Sequence, residues 1–190
     1  DQTLPSQFKK SVQQSPLTAF KSLINSSITE NIDFLIISGD LYNAAQNSPQ
    51  IQEIVSQQFE RLNSAGIPVY LSFGNHDFEA NKQNHLSWPE NVHVFEQNVE
   101  TKYLTLKTGE KIALTGFSYQ TQRQTQKIIN DFPVKIQSVD YQIGLYHGAV
   151  GIDGDPYAPF SVGDMLKKNY DYWALGHIHM RQTLNNQPFI

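Results

Sequence analysis

Residues 34–73 constrain the fold of this chain more than any other stretch. "FLIIS" (34–38) and "IPVYLSF" (67–73) are short continuous apolar runs, separated by "SPQIQEIVSQQFERLNSAG". The separating segment has helix grammar. Ser48 and Pro49 open it, Ile51, Ile54, Val55, Phe59 and Leu62 recur at helical spacing, and Gly66 closes it. Apolar runs without polar alternation mark strands buried on both faces. A strand–helix–strand crossover of this length joins parallel neighbours. The chain is thereby committed to an α/β architecture.

The flanking sequence extends that pattern. "SPLTAFKSLINSSI" predicts a helix with Ser15 as N-cap, Pro16 at its first position, and Phe20, Leu23, Ile24 and Ile28 on one face. From 92 to 117 the texture changes to short strands, "VHVF", "KYLTL" and "KIALTGF", with a hairpin turn at Thr108-Gly109. A helix near 121–131, a strand at 141–146, a helix near 161–168 and a strand at 172–175 complete the expectation of mixed sheets.

Composition excludes several classes. With 190 residues the chain can bury the core of one ordinary domain. It has no cysteine, so disulfides, thiolate metal sites and cysteine nucleophiles are ruled out. No apolar run is long enough to span a bilayer. The net charge of −4 provides no bulk basic field, so a nucleic-acid partner would need local contacts or bound cations.

The residues just past each buried strand are more specific. Gly39-Asp40 comes after "FLIIS", and Gly74-Asn75-His76-Asp77 after "VYLSF". His147-Gly148 comes after "YQIGLY", and Gly176-His177-Ile178-His179 after "YWAL". Sites in open α/β sheets form outside the carboxyl ends of strands, and glycine there permits close backbone approach. Carboxylate, amide oxygen and imidazole without sulfur suit Mn²⁺, Fe or Zn²⁺. Taken singly, Gly-Asp is common turn chemistry and a lone histidine is ordinarily structural. The set and its order carry the case. His85 and His93 fall in a polar connection and an exposed-looking strand, and are read as structural or solvent-facing.

The order Gly-Asp, Gly-Asn-His-Asp, His, Gly-His-x-His resembles the calcineurin-like metallophosphoesterase superfamily over nearly the whole chain. "DPYAPFSVGDMLKKNYDYWALGHIHMR" further resembles its SbcD/YhaO-type DNA repair exonuclease branch. The resemblance implies an α/β fold, a four-layer α/β/β/α sandwich of two mixed sheets, missing its first strand. It implies metal-dependent phosphodiester hydrolysis, with a small-substrate phosphoesterase or a catalytically incomplete fragment as alternatives. Two divalent ions are implied, Mn²⁺ ahead of Fe or Zn²⁺. Asp40 would bridge them, Asn75, His147 and His177 would complete one site, and His179 would bind the other ion. His76 would act on the scissile phosphate and Asp77 would orient His76. An imidazole held by a carboxylate has a fixed tautomer and orientation.

Other implications concern partners and extent. DNA is the implied substrate, with an ATPase partner subunit, a homodimer, no membrane association and a cytoplasmic location. Arg181 is the leading substrate contact, with Lys167, Lys168 and Arg123 as further phosphate candidates, although a solvated face is the ordinary role for each. The superfamily's first motif, Asp-x-His, would precede residue 1, since Thr3 stands where Asp1 would need a histidine. Residues 1–190 therefore read as a metallophosphoesterase (nuclease) domain truncated at its N-terminus and at its C-terminus. On that reading only one metal site is nearly complete and the fragment alone is inactive.

Overall fold

The computed structural model describes residues 6–42, 48–81, 88–151 and 154–190. Seven strands form two sheets. The first holds β1 (Leu35–Ser38), β2 (Val69–Ser72) and β3 (Val92–Val94) in that order, and all three are parallel. The second has the order β4 (Glu100–Thr105), β5 (Lys111–Gly116), β6 (Tyr141–His147) and β7 (Tyr172–Gly176). There β4 and β5 are antiparallel, while β5, β6 and β7 run parallel. The antiparallel pair belongs to the one short connection, where Gly109 takes φ 106° in the expected hairpin turn. The other strand neighbours are joined by longer crossovers, which return the chain in the same direction.

The buried runs divide their side chains between layers because successive residues point to opposite faces. Val69 and Leu71 of β2 pack outward with Ile24 of α1 (Ser6–Thr29) and Val55, Phe59 and Leu62 of α2 (Pro49–Ser64). Tyr70, between them in sequence, points inward with Phe95, Ile112, Leu114 and Leu145 into the core between the sheets. Tyr146, next to Leu145 on β6, points the other way. It joins Phe117, Phe132, Trp173 and Met165 of α3 (Val162–Leu166) in a third cluster. The layers are helix, sheet, sheet, helix.

Several sequence expectations need correction. α1 does not start at Ser15. It begins at Ser6 and carries Pro16 inside the helix. The i, i+4 apolar spacing Phe8–Val12–Pro16–Phe20 continues the helical pattern upstream. The helix expected near 121–131 shrinks to a 3-10 turn at Ile128–Asp131. Its would-be first half is used elsewhere: Gln124 N–H donates to Pro156 O (2.7 Å) and Gln124 O accepts from Ala158 N–H (2.6 Å). β2 is buried along its whole length, as expected of a central strand. β1 is only half-buried beyond Leu35, because it is an edge strand among the described residues.

Candidate metal centre

Carboxyl ends of β1, β2, β6 and β7 meet where the two sheets approach each other. The chain leaves β1 through Gly39 (φ 86°) and Asp40 (φ 56°), both in the left-handed region. For aspartate that conformation is strained and requires support. Asp77 supplies it. Its Oδ1 accepts from Gly74 N–H (2.6 Å) and Asp40 N–H (3.3 Å), and its Oδ2 accepts from Tyr42 N–H (3.3 Å). Burial pushes the Asp77 carboxyl up to about 6, and the Asp40 charge adds to this, against the lowering effect of the Gly74, Tyr42 and Leu41 N–H groups. The described hydrogen bonds of Asp77 thus run to backbone, not to the His76 ring it was expected to orient. Buried N–H groups in a tight turn must be satisfied, and this carboxylate is their acceptor.

His147 closes β6 and is buried. Its Nδ1 lies 2.9 Å from Ser38 O, so Nδ1 carries the proton and Nε2 keeps a lone pair. That Nε2 lies 2.9 Å from Asn75 Oδ1 and 3.4 Å from Asp40 Oδ2. Burial holds the His147 pKa below its ordinary value, with the Asp40 charge opposing, so the ring is neutral near pH 7. Three lone-pair atoms therefore converge with no proton to share. Asp40 Oδ2 is buried without any hydrogen-bond donor. His177, at φ 90°, brings a fourth donor: its Nδ1 is 3.1 Å from Asn75 Oδ1. Its pKa is also lowered, by burial first. Such a set fits a divalent cation with nitrogen and oxygen preference.

The glycines explain why the donors can approach. A Cβ at Gly39 would lie 2.3 Å from His147 Nδ1, and one at Gly74 would lie 2.4 Å from Asp40 Oδ1. At Gly176 it would lie 2.0 Å from Ser38 O. The glycine before each turn motif is thus required by contact across the sheets.

Among the described residues no group of three or more His, Asp and Glu forms a metal site by itself. The convergent set closes only through the amide oxygen of Asn75. His179 is exposed and outside that set, although its charge reaches His177. His76 is exposed, its N–H donates to Asp40 Oδ1 (3.1 Å), and its ring is near enough to lower the pKa of both His147 and His177.

The proposed phosphate contacts scatter. Arg181 is exposed and lines a cavity of about 430 Å³ with His179, Leu175 and Phe189. Lys168 Nζ is committed to Phe132 O (2.6 Å) and Asn130 O (3.2 Å) beside the 3-10 turn, which removes it from the phosphate candidates. Lys167 is solvated, 4.0 Å from Asp164. Arg123 is exposed on a separate trough. His93 stacks on Tyr70 at 5.1 Å, consistent with a structural role. His85 lies outside the described residues.

Sequence reasoning missed three supports of the centre. Ser38 fixes the His147 tautomer. Tyr119 donates its hydroxyl to His147 O (3.1 Å). Tyr157 lays its ring against His177 at 4.6 Å. The "YAPF" stretch is otherwise core packing, as its sequence suggested: Ala158 and Phe160 are buried, and Phe160 meets Tyr146 at 5.2 Å. Ser38 had a signal, being the last strand residue before Gly-Asp. Tyr119 had none.

Comparison with known proteins agrees with this geometry. The chain is 38% identical over 187 residues to the uncharacterized metallophosphoesterase YhaO of Bacillus subtilis (strain 168), covering 96% of this chain and 45% of that protein. It is 24% identical over 195 residues to one of the two components of the nuclease SbcCD of Staphylococcus epidermidis, covering 90% and 51%. Its similarity to DNA double-strand break repair protein Mre11 of Archaeoglobus fulgidus is 24% over 182 residues, covering 85% and 40%. The chain spans about half the length, or less, of these relatives. The calcineurin-like phosphoesterase family matches residues 13–181, which take in every strand-end motif described above. The chain therefore belongs to the calcineurin-like phosphoesterase family, metal-dependent hydrolases of phosphoesters.

Proposed function

We propose that this protein hydrolyses phosphodiester bonds in DNA as a nuclease of the repair type. The observation that carries the metal-dependent reading is the convergence of Asp40 Oδ2, Asn75 Oδ1 and His147 Nε2 on one point, three acceptors without a shared proton. Asp40, Asn75, His147 and His177 would hold one divalent cation, and Asp40 with His179 would contribute to a second. Mn²⁺ is the proposed ion. Bound there, it supplies Lewis-acid polarisation of a phosphoryl oxygen and a hydroxide at neutral pH.

The chain's own residues do the rest. Ser38 O keeps the proton of His147 on Nδ1 and leaves Nε2 free to bind. Asp77 holds the Gly39–Asp40 turn against Gly74. His76 sits exposed at the rim, its backbone tied to Asp40 and its ring free. From there it would donate a ring proton to the leaving oxygen, a contribution typically worth about 10²–10⁴-fold. The DNA substrate is supported by the names of the relatives, a nuclease component and a double-strand break repair protein. An ATPase partner subunit, a homodimer and a cytoplasmic location belong to the same proposal. No described helix is long and apolar enough to cross a membrane.

The test uses the full-length protein stripped of metal by chelation and reloaded with Mn²⁺. Linear DNA should be degraded from its ends, and the rate should fall steeply with salt, by roughly 0.7–0.9 in log–log slope per phosphate neutralised. A small aryl phosphodiester should be a poor substrate, lacking remote contacts that align the scissile bond. Efficient hydrolysis of a cyclic nucleotide without DNA cleavage at low salt would transfer the assignment to a small-substrate phosphoesterase.

A further inference from the structure

A second concavity opens on the same edge of the fold. It has a volume of about 430 Å³, within the range of small-molecule sites, roughly 300–1,000 Å³. Its walls are the loop after β3 and the loop after β5, the carboxyl ends of the strands next to β2 and β6. One strand step, roughly 4.8 Å, separates these ends from those that carry Asn75 and His147. Gln97, Asn98, Gln120, Gln124 and Gln126 line it, with Arg123 as its cation. Asp131 is its acidic member. Neither catalysis nor the metal centre uses these residues.

The trough is built and tied to the centre. Ser118 Oγ donates to Phe95 O (2.5 Å) and accepts from Phe73 N–H (2.9 Å), the residue just before Gly74-Asn75. Ser118 N–H donates to Glu96 O (2.8 Å). Tyr119, next along, holds His147 O, and Gln124 pairs through its backbone with the segment that places Tyr157 on His177. The Gln120 side-chain amide donates to Gln97 Oε1 across the two walls. Each of these amides retains a further polar atom for a ligand.

The chemistry of the walls identifies the ligand. A groove that only tracked phosphates would be lined by lysine and arginine. Five neutral amides beside one guanidinium instead match a planar polar heterocycle carrying one phosphate, since carboxamides present a donor and an acceptor to base edges. We propose that this trough binds the nucleotide flanking the scissile phosphate, with the amides on its base and Arg123 on its phosphate. The proposal rests on the phosphodiesterase reading of the metal centre and gives that site a base preference.

Two measurements separate the proposal from that reading. Calorimetric titration with 5′-dAMP, 5′-dCMP and inorganic phosphate reads the trough without any turnover. The nucleotides should bind at least ten times more tightly than phosphate. Gln120→Ala with Gln97→Ala should weaken them about tenfold, and Arg123→Ala should do the same, while the melting temperature without nucleotide and Mn²⁺ content stay at parental values. Cleavage of a randomised DNA pool then reads the reaction, and the base preference beside the cut should flatten in the amide variant. Equal binding of phosphate and nucleotides, or nucleotide binding that neither variant changes, would overturn the trough assignment even if DNA is cleaved. Nucleotide binding lost in the variants of a protein that cleaves no DNA would instead uphold the trough and remove the nuclease.

Discussion

His147 Nδ1 lies 2.9 Å from the carbonyl oxygen of Ser38, so the last residue of a strand in one sheet sets the tautomer of an imidazole in the other. The consequence is a neutral nitrogen lone pair facing Asn75 Oδ1 and Asp40 Oδ2. Such a cluster repels itself until a cation enters.

This gives a two-sided expectation for Asp40→Asn. The variant should lose the rise in melting temperature that Mn²⁺ gives the parent, a gain of about 2.7 kcal/mol at a hundredfold excess over Kd. Without metal it should be more stable than the parent by about 0.5–2 kcal/mol, because an amide N–H can donate to His147 Nε2. Thermal melts with and without Mn²⁺ check both halves. Unchanged metal stabilisation would remove Asp40 from the ligand set.

His76→Ala should separate chemistry from metal binding. Its ring is exposed and its described bond to Asp40 is made by the backbone N–H, which alanine retains. Turnover should drop by about 10²–10⁴-fold. Elemental analysis should find parental metal content, and a loss of metal would make His76 a ligand.

Gly176→Ala and Gly144→Ala should both destabilise, with different consequences. A Cβ at Gly144 would lie 2.2 Å from the Trp173 ring, inside the core away from the centre. One at Gly176 would lie 2.0 Å from Ser38 O and 2.7 Å from His147 Nδ1. Overpacking costs typically about 1–3 kcal/mol, readable by urea denaturation. Only Gly176→Ala should also weaken Mn²⁺ binding, because it displaces the group that holds the His147 tautomer.

Asp164 offers a pH test remote from the metal. It forms a capping box with Ser161, accepting from Ser161 N–H (3.0 Å) and Oγ–H (2.6 Å), and pairs with Lys127 at 3.0 Å. Burial works to raise its pKa, but the Ser161 hydroxyl, Lys127 and the Ser161 N–H outweigh it and bring the carboxyl down to about 2. A depressed carboxylate contributes stability that is complete above its unfolded pKa near 3.9 and is lost as pH falls through the folded value. Asp164→Ala should therefore cost about 1 kcal/mol at pH 7. The gap to the parent should close between pH 4 and about 2. A gap that stays constant across that window would deny the carboxylate its part in the cap.

Much of this molecule was determined by sequence alone. Hydrophobic periodicity marked the 34–73 crossover, the buried β2 and the paired strands 100–116, because burial and the pleat leave a direct trace in residue order. The glycines before Asp40, Asn75 and His177 were legible for the same reason: only a missing Cβ allows those contacts. Other features were decided by the tertiary structure. The 121–127 segment became a partner for Pro156 and Ala158 rather than a helix, because long-range backbone pairing took the hydrogen bonds a helix would need. Asp77 turned from His76 to three backbone N–H groups that the Gly39–Asp40 turn had left without acceptors. Ser38, Tyr119 and Tyr157 entered the centre through contacts between residues distant in the chain. Sequence order records which side chains are available at each strand end, while the packing of two sheets decides which of them meet and which atom of each faces the metal.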